Sequence, residues 1–181
     1  MKRLILVWVM ILLLGACAPP LNLNKTTQTS NLYGQYTVAY SDKWFIHQEL
    51  GRIAFSNAEQ GLEAYLRNNP MSGEFVAGGV FVFPKGEGID SIEAMLNNYQ
   101  EKLVVSLGNR ETFTENGRSG ISGTGVTTVR EIQVDIGVVV VDIGEAYGVV
   151  VYYTAVGKVT NPLNTIRRMA GTINFIPLNQ G

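Results

Sequence analysis

Four consecutive valines, Val138 to Val141, constrain the fold of this chain more than any other feature. They lie in a long β-prone stretch, Val129–Ile143, where branched side chains favour extended backbone. Successive strand residues point to opposite faces, so a run that is apolar at every position must be covered on both. Such a strand is central in its sheet, with a layer above and a layer below. The residues before it alternate instead: Glu131, Gln133 and Asp135 face opposite to Ile132, Val134 and Ile136. This polar half-strand is a candidate interaction face, although a plain solvated edge gives the same pattern.

Around it the pattern is mostly strand. Gln35 to Tyr40 alternates, with Tyr36, Val38 and Tyr40 on one face; Ser41-Asp42-Lys43 reads as a turn. Strands follow at Trp44–His47 and Gly51–Ser56, then a short helix at Ala58–Arg67 that groups Leu62, Tyr65 and Leu66. Phe75–Phe83 is an apolar strand stopped by Pro84. The strongest helix spans Ser91–Leu107. Asp90 can cap it with Glu93 three residues on, and Ile92, Met95, Leu96, Tyr99, Leu103 and Leu107 form one stripe before Gly108. Strands at Arg110–Thr114, Gly120–Thr127, Val129–Ile143 (bent or broken near Gly137) and Tyr147–Val156 make a long meander. Asn161 caps a last helix, with Pro162 at its first position, Leu163, Ile166 and Met169 inward and Gly171 at its end. Thr172–Ile176 closes the chain as a strand. The order is α+β: an antiparallel sheet of about six or more strands packed with helices.

The first residues are of another kind. Lys2 and Arg3 precede an apolar run from Leu4 to Leu14, then Gly15, Ala16 and Cys17. A charged start, a short apolar core and small residues at a cleavage point make a secretory signal of residues 1–16. The run reaches about 15 residues, short of the roughly 20 that cross a bilayer. Leu14-Gly15-Ala16-Cys17 resembles the bacterial lipobox at all four positions. The resemblance implies a diacylglycerol thioether on Cys17, cleavage between Ala16 and Cys17, and in many bacteria acylation of the new amino group. The chain would then be exported and held on the cell membrane, inner or outer according to the envelope. A thiolate is the nucleophile this chemistry needs. Two acyl chains anchor stably where one binds at only about 10⁴ M⁻¹. Cys17 is the only cysteine, so no disulfide can form within the chain.

Ala18 to Leu32 is rich in Asn, Thr, Gln and Ser. With Cys17 it reads as a flexible tether, residues 17–32, of roughly 20 Å mean span. Residues 33–181 are then a single domain with one core, expected to be monomeric. Hydrophobic residues are 46% and charged residues 16%, the mix of a folded globule. The formal charge of −1 becomes −3 once Lys2 and Arg3 are cut away. The chain therefore lacks the basic patch of nucleic-acid binding and the polybasic run that draws anionic lipid.

Tyr40-Ser41-Asp42-Lys43-Trp44 resembles the Tyr-Pro-Asp-Gly-Trp element that opens PsbP-like domains, with Ser41 for the proline and Lys43 for the glycine. The later order of elements, up to a short final strand with Phe175, is similar over nearly all of Tyr33–Pro177. That family includes the extrinsic photosystem II protein and many bacterial lipoproteins. The resemblance implies an α/β/α sandwich, and the fold implies no reaction.

Chemistry-bearing sets are sparse. His47 is the only histidine. A His-rich metal site is excluded, and with Cys17 lipidated a Cys/His zinc site is too. Ser41, Asp42 and His47 could be drawn as a hydrolytic triad, but no Gly-x-Ser-x-Gly elbow presents the serine. An envelope hydrolase would need Ser41 and His47 within hydrogen-bond reach. Gly120-Ile121-Ser122-Gly123-Thr124-Gly125 lacks the spacing of a phosphate loop and reads as strand glycines admitting a bulge or close packing. Asp135, Asp142 and Glu145 could face a divalent cation but lack the spacing of an oxygen-ligand loop. No cofactor is expected. The sequence points to a non-enzymatic, lipid-anchored module that binds or helps assemble envelope components, envelope proteins being its partners. A small-ligand carrier is the alternative, and it needs a sizeable apolar pocket between sheet and helix.

Overall fold

The computed structural model describes residues 22–69, 75–86, 88–159 and 162–178. The expected signal helix, the cleavage point at Ala16 and Cys17, and the cap at Asn161 lie outside the described residues. In chain order the elements are β1 (Lys25–Asn31), β2 (Gly34–Tyr40), β3 (Phe45–Glu49), β4 (Arg52–Ser56), α1 (Glu59–Leu66), β5 (Val76–Pro84), α2 (Ile92–Lys102), β6 (Gly108–Glu115), β7 (Arg118–Val129), β8 (Ile132–Asp142), β9 (Ala146–Thr154), α3 (Leu163–Gly171) and β10 (Asn174–Pro177). They form a seven-stranded sheet, β3-β4-β5-β9-β8-β7-β6, and a three-stranded sheet, β1-β2-β10, with every pairing antiparallel. The class is α+β, as the pattern predicts. No helix among the described residues is long and apolar enough to cross a membrane.

The valine run organises the two cores. Val138 and Val140 pack with Met95, Leu96 and Tyr99 of α2 on one face of the large sheet. Val139 and Val141 pack on the other with Ile166, Met169 and Ala170 of α3 and with Tyr36 and Val38 of β2. All four valines are fully buried, and each such side chain stabilises by roughly 1.5–3 kcal/mol relative to exposure. Helices thus cover both faces of the large sheet, as the PsbP-like pattern implies, and the three-stranded sheet lies beside α3 on the second face.

The break expected near Gly137 is absent. β8 runs in unbroken register against β9, from Asp135 opposite Thr154 to Asp142 opposite Tyr147. Gly137 makes room for an aromatic ring: a Cβ there would lie 2.2 Å from Tyr152 Cζ. The stretch turns instead at Arg130-Glu131, a two-residue hairpin loop between β7 and β8 with both residues at positive φ, 46° and 71°. The β6–β7 hairpin uses Asn116-Gly117, the pair best suited to that geometry. In the glycine-rich run, a Cβ on Gly120 would strike the Phe113 ring at 2.3 Å, so close packing is its reason.

The main helix is shorter than its stripe. Ser91, not Asp90, caps it, its hydroxyl accepting from Ala94 N at 3.1 Å. It ends after Lys102 in a turn where Val105 N donates to Gln100 O at 3.1 Å and Val104 takes φ 51°. Leu103 and Leu107 still reach the core because the chain leaves the helix along the same face.

The tether expected to run to Leu32 is overturned from Lys25 onward. Lys25–Asn31 is strand β1, in register from Lys25 opposite Tyr40 to Asn31 opposite Gly34. Its polar composition hides it because backbone bonds hold it. Gly51 N donates to Ser30 O at 2.7 Å and Thr29 Oγ1 to Glu49 O at 2.7 Å. Asn31 Nδ2 donates to Val82 O at 2.8 Å, while its Oδ1 accepts from Tyr33 N and Gly34 N. The folded unit therefore begins before Tyr33.

Candidate docking surface

The Tyr40–Trp44 element carries the chain from the small sheet to the large one. Trp44 N donates to Ser41 O at 3.0 Å, and the Trp44 ring stacks on Phe55 with centroids 5.2 Å apart. Ser41 is buried, its hydroxyl accepting from Lys43 N at 3.3 Å. His47 lies on the edge strand β3, with Nε2 3.4 Å from Glu49 Oε1. Among the described residues no hydrogen bond joins Ser41 to His47, so these three residues are not assembled as a triad.

The acidic residues are likewise dispersed. Asp142 takes both its oxygens to Lys85 Nζ, at 2.8 and 2.7 Å, and accepts from Gly144 N at 2.9 Å. Burial works against its ionised form, but these donors outweigh it and hold the carboxyl below its usual range. Glu145 sits in the neighbouring turn. Asp135 is buried seven residues earlier on β8 and accepts from Gly157 N at 2.7 Å. No three His, Cys, Asp or Glu among the described residues stand close enough to hold a metal.

Asp135 also departs from the polar strip expected on β8. Glu131 and Gln133 are exposed, but the loop after β9 folds over the strand at Asp135 and uses its carboxylate as an anchor. The strip shrinks to a hairpin tip, tied to the end of α1 by Arg130 Nη2 on Arg67 O at 3.3 Å.

Between α1 and the sheet lies a pocket of about 270 Å³, lined by Arg52, Tyr65, Leu66, Asn69, Val134 and Tyr153 among others. Arg52 lies 5.4 Å over the Tyr65 ring and pairs with Glu49. Burial pushes the Tyr65 hydroxyl up to about 12, against the pull of the Arg52 charge. The space falls below the roughly 300–1,000 Å³ of ordinary ligand pockets, and the interfaces of α2 and α3 with the sheet are filled by the two cores.

The feature the sequence does not announce is an apolar end. Leu32 and Tyr33, in the β1–β2 turn, are 84% and 49% exposed; Ile176 and Leu178, at the end of β10, are 58% and 56% exposed. Leu178 N donates to Tyr33 O at 2.8 Å, which extends the β2–β10 pairing and brings Leu178 beside the β1–β2 turn, while Ile176 lies opposite Gln35. Leu32, Tyr33, Phe175, Pro177 and Leu178 line a groove of about 550 Å³ with Pro84 and Glu145. Tyr33 and Pro84 also border a second hollow of about 310 Å³ with Phe83, Ile89 and Lys102. Lys102 lies 5.5 Å over the Phe83 ring, so the rim is cationic on one side and acidic at Glu145 on the other. Contiguous exposed apolar surface with a polar rim marks interaction sites in folded proteins. Its residues come from a polar-looking segment and from the chain end, where no periodicity points to them.

No protein-family model matches this chain, and no curated protein sequence is similar to it. Among solved structures it is similar to cyanobacterial PsbP (CyanoP) of Synechocystis sp. PCC 6803, the family that the Tyr40–Trp44 element resembles. That likeness covers 90% of this chain and 99% of the other at 12% identity, with a TM-score of 0.49. It is similar to LpqN, involved in cell envelope biogenesis of Mycobacterium tuberculosis, over 84% of this chain and 91% of that one, at 12% identity and a TM-score of 0.48. It is also similar to a Bacteroides thetaiotaomicron protein at 10% identity and a TM-score of 0.48, over 78% of this chain but only 45% of the longer partner.

Proposed function

We propose that this chain is exported, held on the cell membrane by lipid on Cys17, and acts as a non-enzymatic module that binds or helps assemble other envelope components. The observation that carries the binding role is the groove at this end, where the exposed Leu32, Tyr33 and Leu178 stand with Phe175 and Pro177. Exposed apolar side chains gathered at one groove favour contact with another molecule, which removes them from water. The lipid attachment rests on Leu14-Gly15-Ala16-Cys17 and on the short apolar run before it.

Two variants in cells test the role. Leu32→Asp combined with Leu178→Asp is expected to abolish function at normal protein levels, since both side chains are exposed and little packing is lost. His47→Ala is expected to leave function nearly intact. The reverse pattern would mean that the chain is an enzyme and that the apolar end is idle. For the anchor, Cys17→Ser is expected to leave the precursor unlipidated and uncleaved by this route; an unchanged cleaved, membrane-bound product overturns it.

A further inference from the structure

We infer that the pocket between α1 and the sheet binds a small carboxylic acid, with the carboxylate on Arg52 and a short apolar body against Leu66 and Val134. This pocket shares no lining residue with the groove of the docking role, and the inference rests neither on that role nor on the lipid anchor.

The chemistry of the wall is the first observation. Arg52 brings a guanidinium, Tyr65 and Tyr153 bring hydroxyls, and Asn68 and Asn69 bring amides. All of these groups can donate hydrogen bonds, and among the described residues no carboxylate lines the space. Burial pushes both tyrosines up, so each hydroxyl keeps its proton at neutral pH and stays a donor. Donors gathered around one cation suit a single negative charge. The planar fork of a guanidinium matches a carboxylate. Leu66, Val129 and Val134 make the rest of the wall apolar, which favours an acid with an apolar body over bare phosphate. The volume of about 270 Å³ admits one small ring or a short chain.

The second observation is how the wall is held. Tyr65 on α1 tilts against Tyr153 on β9, with ring centroids 6.1 Å apart. A Cβ on Gly79 of β5 would lie 2.5 Å from the Tyr65 hydroxyl, so this glycine leaves the room that the phenol occupies. Past α1 the chain turns back: Asn68 takes φ 50° with its N donating to Tyr65 O at 3.1 Å, and Asn69 N donates to Ala64 O at 2.8 Å. That turn brings both asparagines to the pocket. Glu49, the ion-pair partner of Arg52, stands outside the lining, is 41% exposed and engages only Nη2. A pair so exposed contributes little, and a ligand carboxylate can share or replace it.

Saturation-transfer NMR of the full chain in detergent micelles, with protein-free micelles as the blank, tests this. The probes are benzoate and hexanoate, with benzamide and benzylamine as neutral and cationic counterparts. The expected result is saturable binding of at least one carboxylate at about millimolar concentration, and none of the amide or amine. Arg52→Gln should weaken it about tenfold, the loss of a charge-assisted pair. Tyr153→Phe, which keeps the ring, should weaken it about threefold. Glu49→Gln should tighten it about threefold by removing the competing carboxylate, a gain that a purely structural Arg52–Glu49 pair does not give. The Tyr153 and Glu49 variants carry the test if Arg52→Gln does not fold. No binding of either carboxylate, equal binding of benzamide, or displacement of benzoate by equimolar inorganic phosphate would each overturn the inference. So would affinity unchanged in a folded Arg52→Gln chain, or in both of the other variants.

Discussion

Arg167 Nη2 donates to Ser122 Oγ at 2.6 Å, which ties the last helix to the strand next to the sheet edge. Ser122 is fully buried, and the same guanidinium nitrogen lies 2.6 Å from Glu111 Oε2 on β6. The Arg167 head also lies 5.1 Å over the Phe113 ring. One side chain thus joins α3, β6 and β7.

Arg167→Met is expected to destabilise by about 2 kcal/mol, since a charge-assisted bond to a buried hydroxyl is lost. Glu111→Ala is expected to cost no more than about 1 kcal/mol, because that carboxylate is mostly in water. Urea unfolding of these two variants, of Ser122→Ala and of the Ser122→Ala, Arg167→Met double variant measures this. Strict additivity of the Ser122 and Arg167 changes would show that their bond contributes nothing.

Val104 sits at φ 51° and is 90% exposed just past α2, a position that suits glycine. Val104→Gly is expected to raise stability by about 1 kcal/mol. Glu131→Gly, at φ 71° in the β7–β8 turn, is expected to act in the same direction. Thermal midpoints that fall in both variants would show that these conformations are not strained.

A chain beginning at Tyr33 loses β1, and with it the acceptor for Gly51 N and the donor to Val82 O. It is expected to be less stable than one beginning at Asn22 by at least about 2 kcal/mol, the sum of a few lost backbone bonds. Equal unfolding midpoints would return residues 25–31 to the tether.

The alkaline limb of stability follows from buried tyrosines. Tyr65 rises from 10.0 to about 12, chiefly through burial, and burial pushes Tyr36, Tyr99 and Tyr152 up as well. Unfolded tyrosines ionise near pH 10 while the folded ones stay protonated. Their share of stability is therefore complete below pH 10 and lost as pH rises toward 12 and beyond. For Tyr65 alone that rise corresponds to about 3 kcal/mol. Tyr65→Phe is expected to flatten the fall between pH 10 and 12, read from urea midpoints across that range; an unchanged slope would place the hydroxyl in water.

Several elements were legible because their signal is local. The valine run announces a strand covered on both faces, and the stripe from Ile92 to Tyr99 announces a helix. β1 was not legible, since Thr, Gln and Ser pair through the backbone and carry no hydrophobic period. Asp135 read as exposed because alternation gives a side of the sheet, and only the loop after β9 decides whether that side meets water. The reading of residues 1–17 rests on sequence throughout.

By itself the sequence determined the α+β class and the central strand, and it carries the short pattern on which the proposed export and lipid anchor rest, because periodicity and short motifs act over a few neighbouring residues. Tertiary structure decided that Leu32 and Tyr33 meet Phe175, Pro177 and Leu178 around one groove. Those residues lie more than a hundred positions apart, and only the pairing of β10 with β2 places them on one surface.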